Sequence, residues 1–257
     1  MSEMNPYQPP AAATTSSAAK GGFNAAGRAL DGGHGWTWIT SAFDLFMKQP
    51  GMWVLLFIIW LACSMVLAVI PLLGGIANML LYPVFAAGFM LVCRALDSGE
   101  PAEVALMFGG FKQKTSDLMV VGLLALAGIV VVMVPAMLIA GGAGVFAAVQ
   151  GGTAAVMAMG LSIVLILLVV VAISVPVYMA LWFAAPLVLF HDLKPVDALK
   201  ASFHGCLKNV IAFLLYGIVM LVLFAVALIP FGLGVLVLGP VMIATIYTAY
   251  RDIFFDA

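Results

Sequence analysis

Few side chains in this sequence carry catalytic chemistry, and their spacing points away from an enzyme. His191-Asp192 is the one close pairing of a histidine with a carboxylate. Catalysis by such a pair needs the acid to orient the imidazole, but consecutive residues of a helix project roughly 100° apart. The two therefore cannot act as a dyad. His34 lies in a glycine-flanked stretch before Trp36, and His204 falls on the polar side of a helical pattern, so solvated side chains account for both. Cys63, Cys93 and Cys206 are an odd number with no CxxC pair, which implies neither a disulfide framework nor a metal site. The sequence also contains no nucleophile elbow and no phosphate loop. The expectation is a non-enzymatic protein with no cofactor and no metal.

The elements that hold these residues read as membrane helices. Of 257 residues, 65% are hydrophobic and 8% charged, with a mean hydropathy of +1.23, whereas a soluble domain carries about 25% charged residues. Such a chain has charge enough for tails and loops only, which excludes an extramembrane catalytic domain. Its net charge of -1, from 10 Lys+Arg and 11 Asp+Glu, provides no basic surface for nucleic acid.

Three long stretches contain no Asp, Glu, Lys, Arg or His: Gln49 to Cys93, Leu118 to Phe190 and Asn209 to Tyr250. A spanning helix needs about 20 apolar residues. The first and third stretches each hold two, with turns near Pro71 to Gly75 and Pro230 to Gly234. The middle one holds two joined by an apolar loop, Gly141 to Gly160, or three with no loop. Every Lys and Arg lies outside these stretches, and two spans in each puts them all on one side, as the positive-inside rule requires. The prediction is an all-α, polytopic helical bundle in the bacterial inner membrane with both termini cytoplasmic. Its six transmembrane helices fall near Met52 to Ile70, Ile76 to Cys93, Leu118 to Ala140, Leu161 to Phe190, Val210 to Ile229 and Leu233 to Tyr250. Pro83, Pro176, Pro186 and Pro240 predict kinks.

A threefold pattern organises these spans. Phe43-x-x-Phe46, Phe108-x-x-Phe111 and Phe203-x-x-Cys206 each precede a hairpin, with Lys48, Lys112 or Lys208 close behind. Pro71, Pro135 and Pro230 then follow the first Phe by 28, 27 and 27 residues and are expected to close the first span of each hairpin. Each unit thus reads as an amphipathic helix plus a hairpin, in three parallel repeats covering about 36–96, 97–192 and 193–257. Trp36, Ile39, Phe43 and Phe46 form the apolar face of the first amphipathic helix, and Val196, Leu199, Phe203 and Leu207 that of the third. Such faces suit either the membrane interface or packing on the hairpins as plugs. Residues 1–35, rich in Pro, Gly, Ser and Thr, read as a disordered cytoplasmic tail.

Candidate binding residues follow from this layout. Trp36, Trp38 and Trp53 bracket the first span, where indoles anchor at headgroup depth. With Lys48, Lys112, Lys114, Lys200 and Lys208 on the same side, Trp36 and Trp38 are candidates for contact with anionic lipid headgroups. Inside the spans there is no Asp, Glu, Lys, Arg or His, which argues against ion-coupled transport. Asn78, Tyr82, Tyr178 and Thr245 either bond between helices or line a cavity for a neutral or amphipathic substrate. Membrane lipids are the expected partners, alongside a protein partner or a second copy of the chain. The leading functional reading is lipid or partner binding, and the alternative is a channel, uniport-like or lipid-translocating protein.

The Asn5-Pro6-Tyr7-Gln8-Pro9-Pro10 tail and the Gly35-Trp36-Thr37-Trp38-Ile39 opening before six apolar helices resemble an uncharacterised family of Gram-negative inner-membrane proteins. More distantly, the repeated helix-plus-hairpin unit is similar to the membrane domains attached to some glycerophosphodiester phosphodiesterases. The chain lacks the phosphodiesterase domain. The resemblance therefore implies a location and no activity.

Overall fold

The computed structural model describes residues 22–71 and 73–256, so the Asn5 to Pro10 motif lies outside the described residues. The elements are α1 (His34–Lys48), α2 (Pro50–Ala68), α3 (Leu73–Asp97), α4 (Val104–Met107), α5 (Thr115–Gln150), α6 (Gly152–Trp182), α7 (Ala184–His191), α8 (Pro195–Lys208), α9 (Val210–Leu228) and α10 (Val235–Phe254). A 3-10 turn at Gly109–Phe111 follows α4. Phe23 and Phe255 make an isolated antiparallel bridge.

Among the described residues five helices are long and apolar enough to cross a membrane: Pro50–Ala68, Leu73–Asp97, Thr115–Val149, Gly152–His191 and Val210–Leu228. The sixth expected span corresponds to α10. Its 20 residues suffice in length, but Thr245, Tyr247, Thr248, Tyr250, Arg251 and Asp252 dilute its apolar character.

The middle hairpin departs from expectation. Pro135 does not close a span; α5 continues through it and through Gly141 to Gln150, for 36 residues, a length of about 54 Å. The segment expected as an outer loop is therefore helix on both sides of a tight turn. Its reversal comes at Gly151 and Gly152, whose φ values of +62° and +57° suit residues without a Cβ.

The fourth span is broken rather than bent. α6 ends at Trp182 and α7 begins at Ala184, because the Pro186 ring cannot follow the carbonyl of Trp182 in a regular helix. Ser202 of α8 fills the gap. Its hydroxyl accepts from the Phe183 N–H at 2.9 Å and donates to the Met179 carbonyl at 2.7 Å. Those two groups would bond directly in an unbroken helix.

The core gathers around α3 and α10, where side chains such as Phe89, Met90, Tyr250 and Ile253 are buried. Trp53 stacks in parallel on Phe89. At the charged end of the bundle, Arg251 and Tyr247 of α10 both donate to the Asp97 carboxylate at the end of α3.

Residues 22–33, expected within a disordered tail, form a strap along the end of α10. The backbone N–H groups of Asn24 and Arg28 donate to the carbonyls of Phe254 and Ile253, both at 2.9 Å. Asn209, at the start of α9, joins it by accepting from Leu30 N–H and donating to the Arg28 carbonyl. The composition rule fails here because the strap is held by specific polar bonds and not by a core of its own.

Candidate functional site

The Asp252 carboxylate fixes where α1 begins. It accepts from Arg28 Nη2 at 2.7 Å, from Trp38 Nε1 at 2.8 Å, and lies 2.6 Å from His34 Nδ1. Gly35 then lets α1 press on α9, since a Cβ there would stand 2.2 Å from the Ala212 carbonyl oxygen. On the other flank Thr248 of α10 donates to the Trp38 carbonyl at 2.9 Å. α1 is thus wedged between α9 and α10 at the charged end.

At the opposite end α9 and α10 meet closely, and a Cβ on Gly234 would fall 2.6 Å from the Ala227 Cα. Two helices that touch at one end and are held apart by a wedge at the other must leave a gap between. That gap is a groove of about 740 Å³. Leu223, Val226 and Ala227 form one wall, Val237, Leu238 and Val241 the other. Trp36, Ile39, Thr40, Phe43 and Asp44 of α1 close its upper end. A Tyr216 to Thr245 hydroxyl contact at 3.2 Å ties the two walls together.

The surface of α1 divides into sectors. Gly35, Trp38, Ile39, Ala42, Leu45 and Phe46 are buried. Trp36, Phe43 and Met47 are exposed apolar groups, lying beside that sector at roughly 100° per residue. Thr40 and Asp44 come next around the helix, then Thr37, Lys48 and Ser41. This order from buried to apolar to polar is that of a helix seated in a membrane interface. It places Thr40 and Asp44 at the apolar–polar boundary.

The expected headgroup contacts divide accordingly. Trp36 is exposed at the groove, whereas Trp38 is 1% exposed and Trp53 fully buried, each with its indole N–H bonded inside the protein. Their aromatic bulk is used for packing, so neither faces lipid. Lys48 donates to the Leu96 carbonyl at 2.7 Å, and Lys208 to the carbonyls of Ala26 and Gly27 at 2.8 Å. Lys114 pairs with Asp192 at 2.6 Å, and this hydrogen bond raises the lysine above its ordinary range. Lys112 and Lys200 make no ion pair or side-chain hydrogen bond among the described residues. Three of the five lysines are thus engaged within the protein.

The buried face of α8 is Ala198, Ser202, Gly205 and Cys206, while of its expected apolar face Val196 and Leu207 are exposed and Leu199 and Phe203 half-buried. Small residues permit close helix approach, and Gly205 lies against the Phe254 ring.

The four candidate cavity residues differ in exposure. Tyr82 and Tyr178 are exposed, Asn78 is half-buried, and Thr245 is buried with its hydroxyl donating to the Met242 carbonyl at 2.6 Å. None of them lines the groove. His191 and Asp192 point apart as expected: Asp192 turns to Lys114, while the His191 ring stacks on Phe23 and its Nε2 bonds the Tyr250 hydroxyl.

Sequence reasoning missed Asp44 as a rim residue and Asp252 and Ser202 as organisers. Asp44 could have been singled out as the lone acid of α1, set between Phe43 and Phe46.

A probable inner membrane protein of Burkholderia thailandensis is 31% identical to this chain over 216 residues, covering 79% of this chain and 77% of the relative. No family model matches the chain. No solved structure matches it.

Proposed function

The chain belongs to the family of that probable inner membrane protein, and on this premise we propose that it is a non-enzymatic, multi-pass protein that holds a membrane lipid between α1, α9 and α10. One observation carries the reading. The groove of about 740 Å³ has apolar walls and a polar rim, and its size falls within the roughly 300–1,000 Å³ of ligand sites. In this reading α10 is the sixth span, the charged end and both termini are cytoplasmic, and the order of elements reflects three units of helix plus hairpin. The placement of every Lys and Arg outside the charge-free stretches supports that orientation.

Native mass spectrometry of the protein released without stripping its lipids tests the proposal. One phospholipid per chain is expected, lost on Val226→Trp, which fills the groove from an exposed position of the α9 wall. A wild-type chain that carries no lipid, or a Val226→Trp chain that carries as much, would overturn it.

A second reading, assembly with another copy or a partner protein, draws on the α5–α6 hairpin. Its helices have exposed apolar residues near the tip, including Val145, Phe146, Val149, Val156 and Met157, and α5 at about 54 Å exceeds the roughly 30 Å hydrocarbon core. The same spectra report subunit number, and a chain that remains single would exclude stable assembly.

A further inference from the structure

We infer that the groove takes a phospholipid whose headgroup carries a primary ammonium, the phosphatidylethanolamine class, and that Asp44 receives that ammonium. The inference rests on the lipid-groove reading and adds the headgroup to it. Asp44 lines the groove at its upper end, is exposed, and makes no ion pair or side-chain hydrogen bond among the described residues. A lysine one turn on, Lys48, would ordinarily pair with it. Here Lys48 is drawn away to the Leu96 carbonyl at 2.7 Å, which leaves the carboxylate uncompensated at the rim of an apolar groove.

The neighbouring acceptor has the same preference. Thr40 uses its hydroxyl hydrogen toward the backbone, with the Thr37 carbonyl 3.0 Å away, so what its oxygen offers to the groove is a lone pair. An ammonium presents three donors and no acceptor, and thus complements both groups. An anionic headgroup such as phosphatidylglycerol presents negative charge to a carboxylate and finds no free cation on this face of α1. Depth agrees with chemistry. Trp36 and Phe43 lie on the lipid side of the Asp44 sector, as the ordering around α1 requires, so acyl chains below them and a headgroup at Asp44 occupy their natural levels.

The test uses the full chain, delipidated by detergent exchange and titrated with phosphatidylethanolamine or phosphatidylglycerol of identical acyl chains, with bound lipid counted by native mass spectrometry. Wild type should prefer phosphatidylethanolamine roughly tenfold, equivalent to ~1.4 kcal/mol. Asp44→Asn should bind both lipids about equally, and Asp44→Glu should retain the preference. Equal binding of both lipids by wild type, or a preference that survives Asp44→Asn, refutes the headgroup assignment while Val226→Trp still clears the groove. If Val226→Trp changes neither lipid, the groove reading itself fails and the assignment falls with it.

Discussion

Replacing Ser202 by alanine tests how the break in the fourth span is held. The hydroxyl is fully buried and serves two backbone groups, the Phe183 N–H at 2.9 Å and the Met179 carbonyl at 2.7 Å. Removing it strands both. An unsatisfied buried polar group costs about 1–3 kcal/mol, but the Met179 carbonyl keeps a weak second donor, the Cys206 thiol at 3.5 Å. The expected loss is therefore ~2–4 kcal/mol, a large part of the roughly 5–15 kcal/mol that separates folded from unfolded chains. Reversible unfolding in mixed micelles measures it. A second readout is independent of unfolding. Cys206 is buried, which pushes its thiol up to about 12, whereas an exposed thiol ionises near 8.5. Maleimide labelling at pH 8 should thus be nearly absent at Cys206 in the wild type and rise by orders of magnitude if α8 lifts in the variant. A loss under ~0.5 kcal/mol with unchanged labelling would show that Phe183 and Met179 close their own bond, and that Ser202 is not what holds the break.

Two further substitutions probe the wedge. Asp252→Asn keeps the size of the side chain but removes the charge that Arg28 and His34 meet; tryptic cleavage after Arg28 should accelerate severalfold, and an unchanged rate would show that the backbone bonds to Ile253 and Phe254 suffice. Gly35→Ala places a Cβ 2.2 Å from the Ala212 carbonyl oxygen, a backbone atom that cannot yield cheaply. It should destabilise the protein by ~1–3 kcal/mol and weaken lipid retention, while Gly33→Ala, with open space around its Cβ, should be neutral in thermal unfolding.

Much of the architecture was legible because it depends on where charges stop. The charge-free stretches located the apolar helices, and Pro71 and Pro230 lie at the expected reversals. Helix faces were harder to read, for a physical reason. In a membrane protein the side facing lipid and the side facing protein are both apolar, so hydrophobic periodicity does not tell them apart. α8 packs through Ala198, Ser202 and Gly205 and turns Val196 and Leu207 outward, although hydrophobicity alone would bury the larger pair first. Glycines misled in the same way. Gly141, Gly142 and Gly144 read as part of an apolar outer loop, yet they lie within α5 with open space where a side chain would stand, and the reversal waits for the positive φ values at Gly151 and Gly152.

The lysines follow the same logic and connect it to the groove. Lys48 and Lys208 are bound to backbone carbonyls at the ends of segments, where a cation is favoured beside the negative end of a helix or the carbonyls of the strap. A count of positive charge at the membrane surface therefore overstates what is available to an anionic lipid. The bond from Lys48 to the Leu96 carbonyl also draws its ammonium away from Asp44, one turn earlier on the same helix. Packing demands at one end of α1 thus determine the electrostatic character of the groove at its side. That character is negative, and it arises although the chain as a whole is nearly neutral.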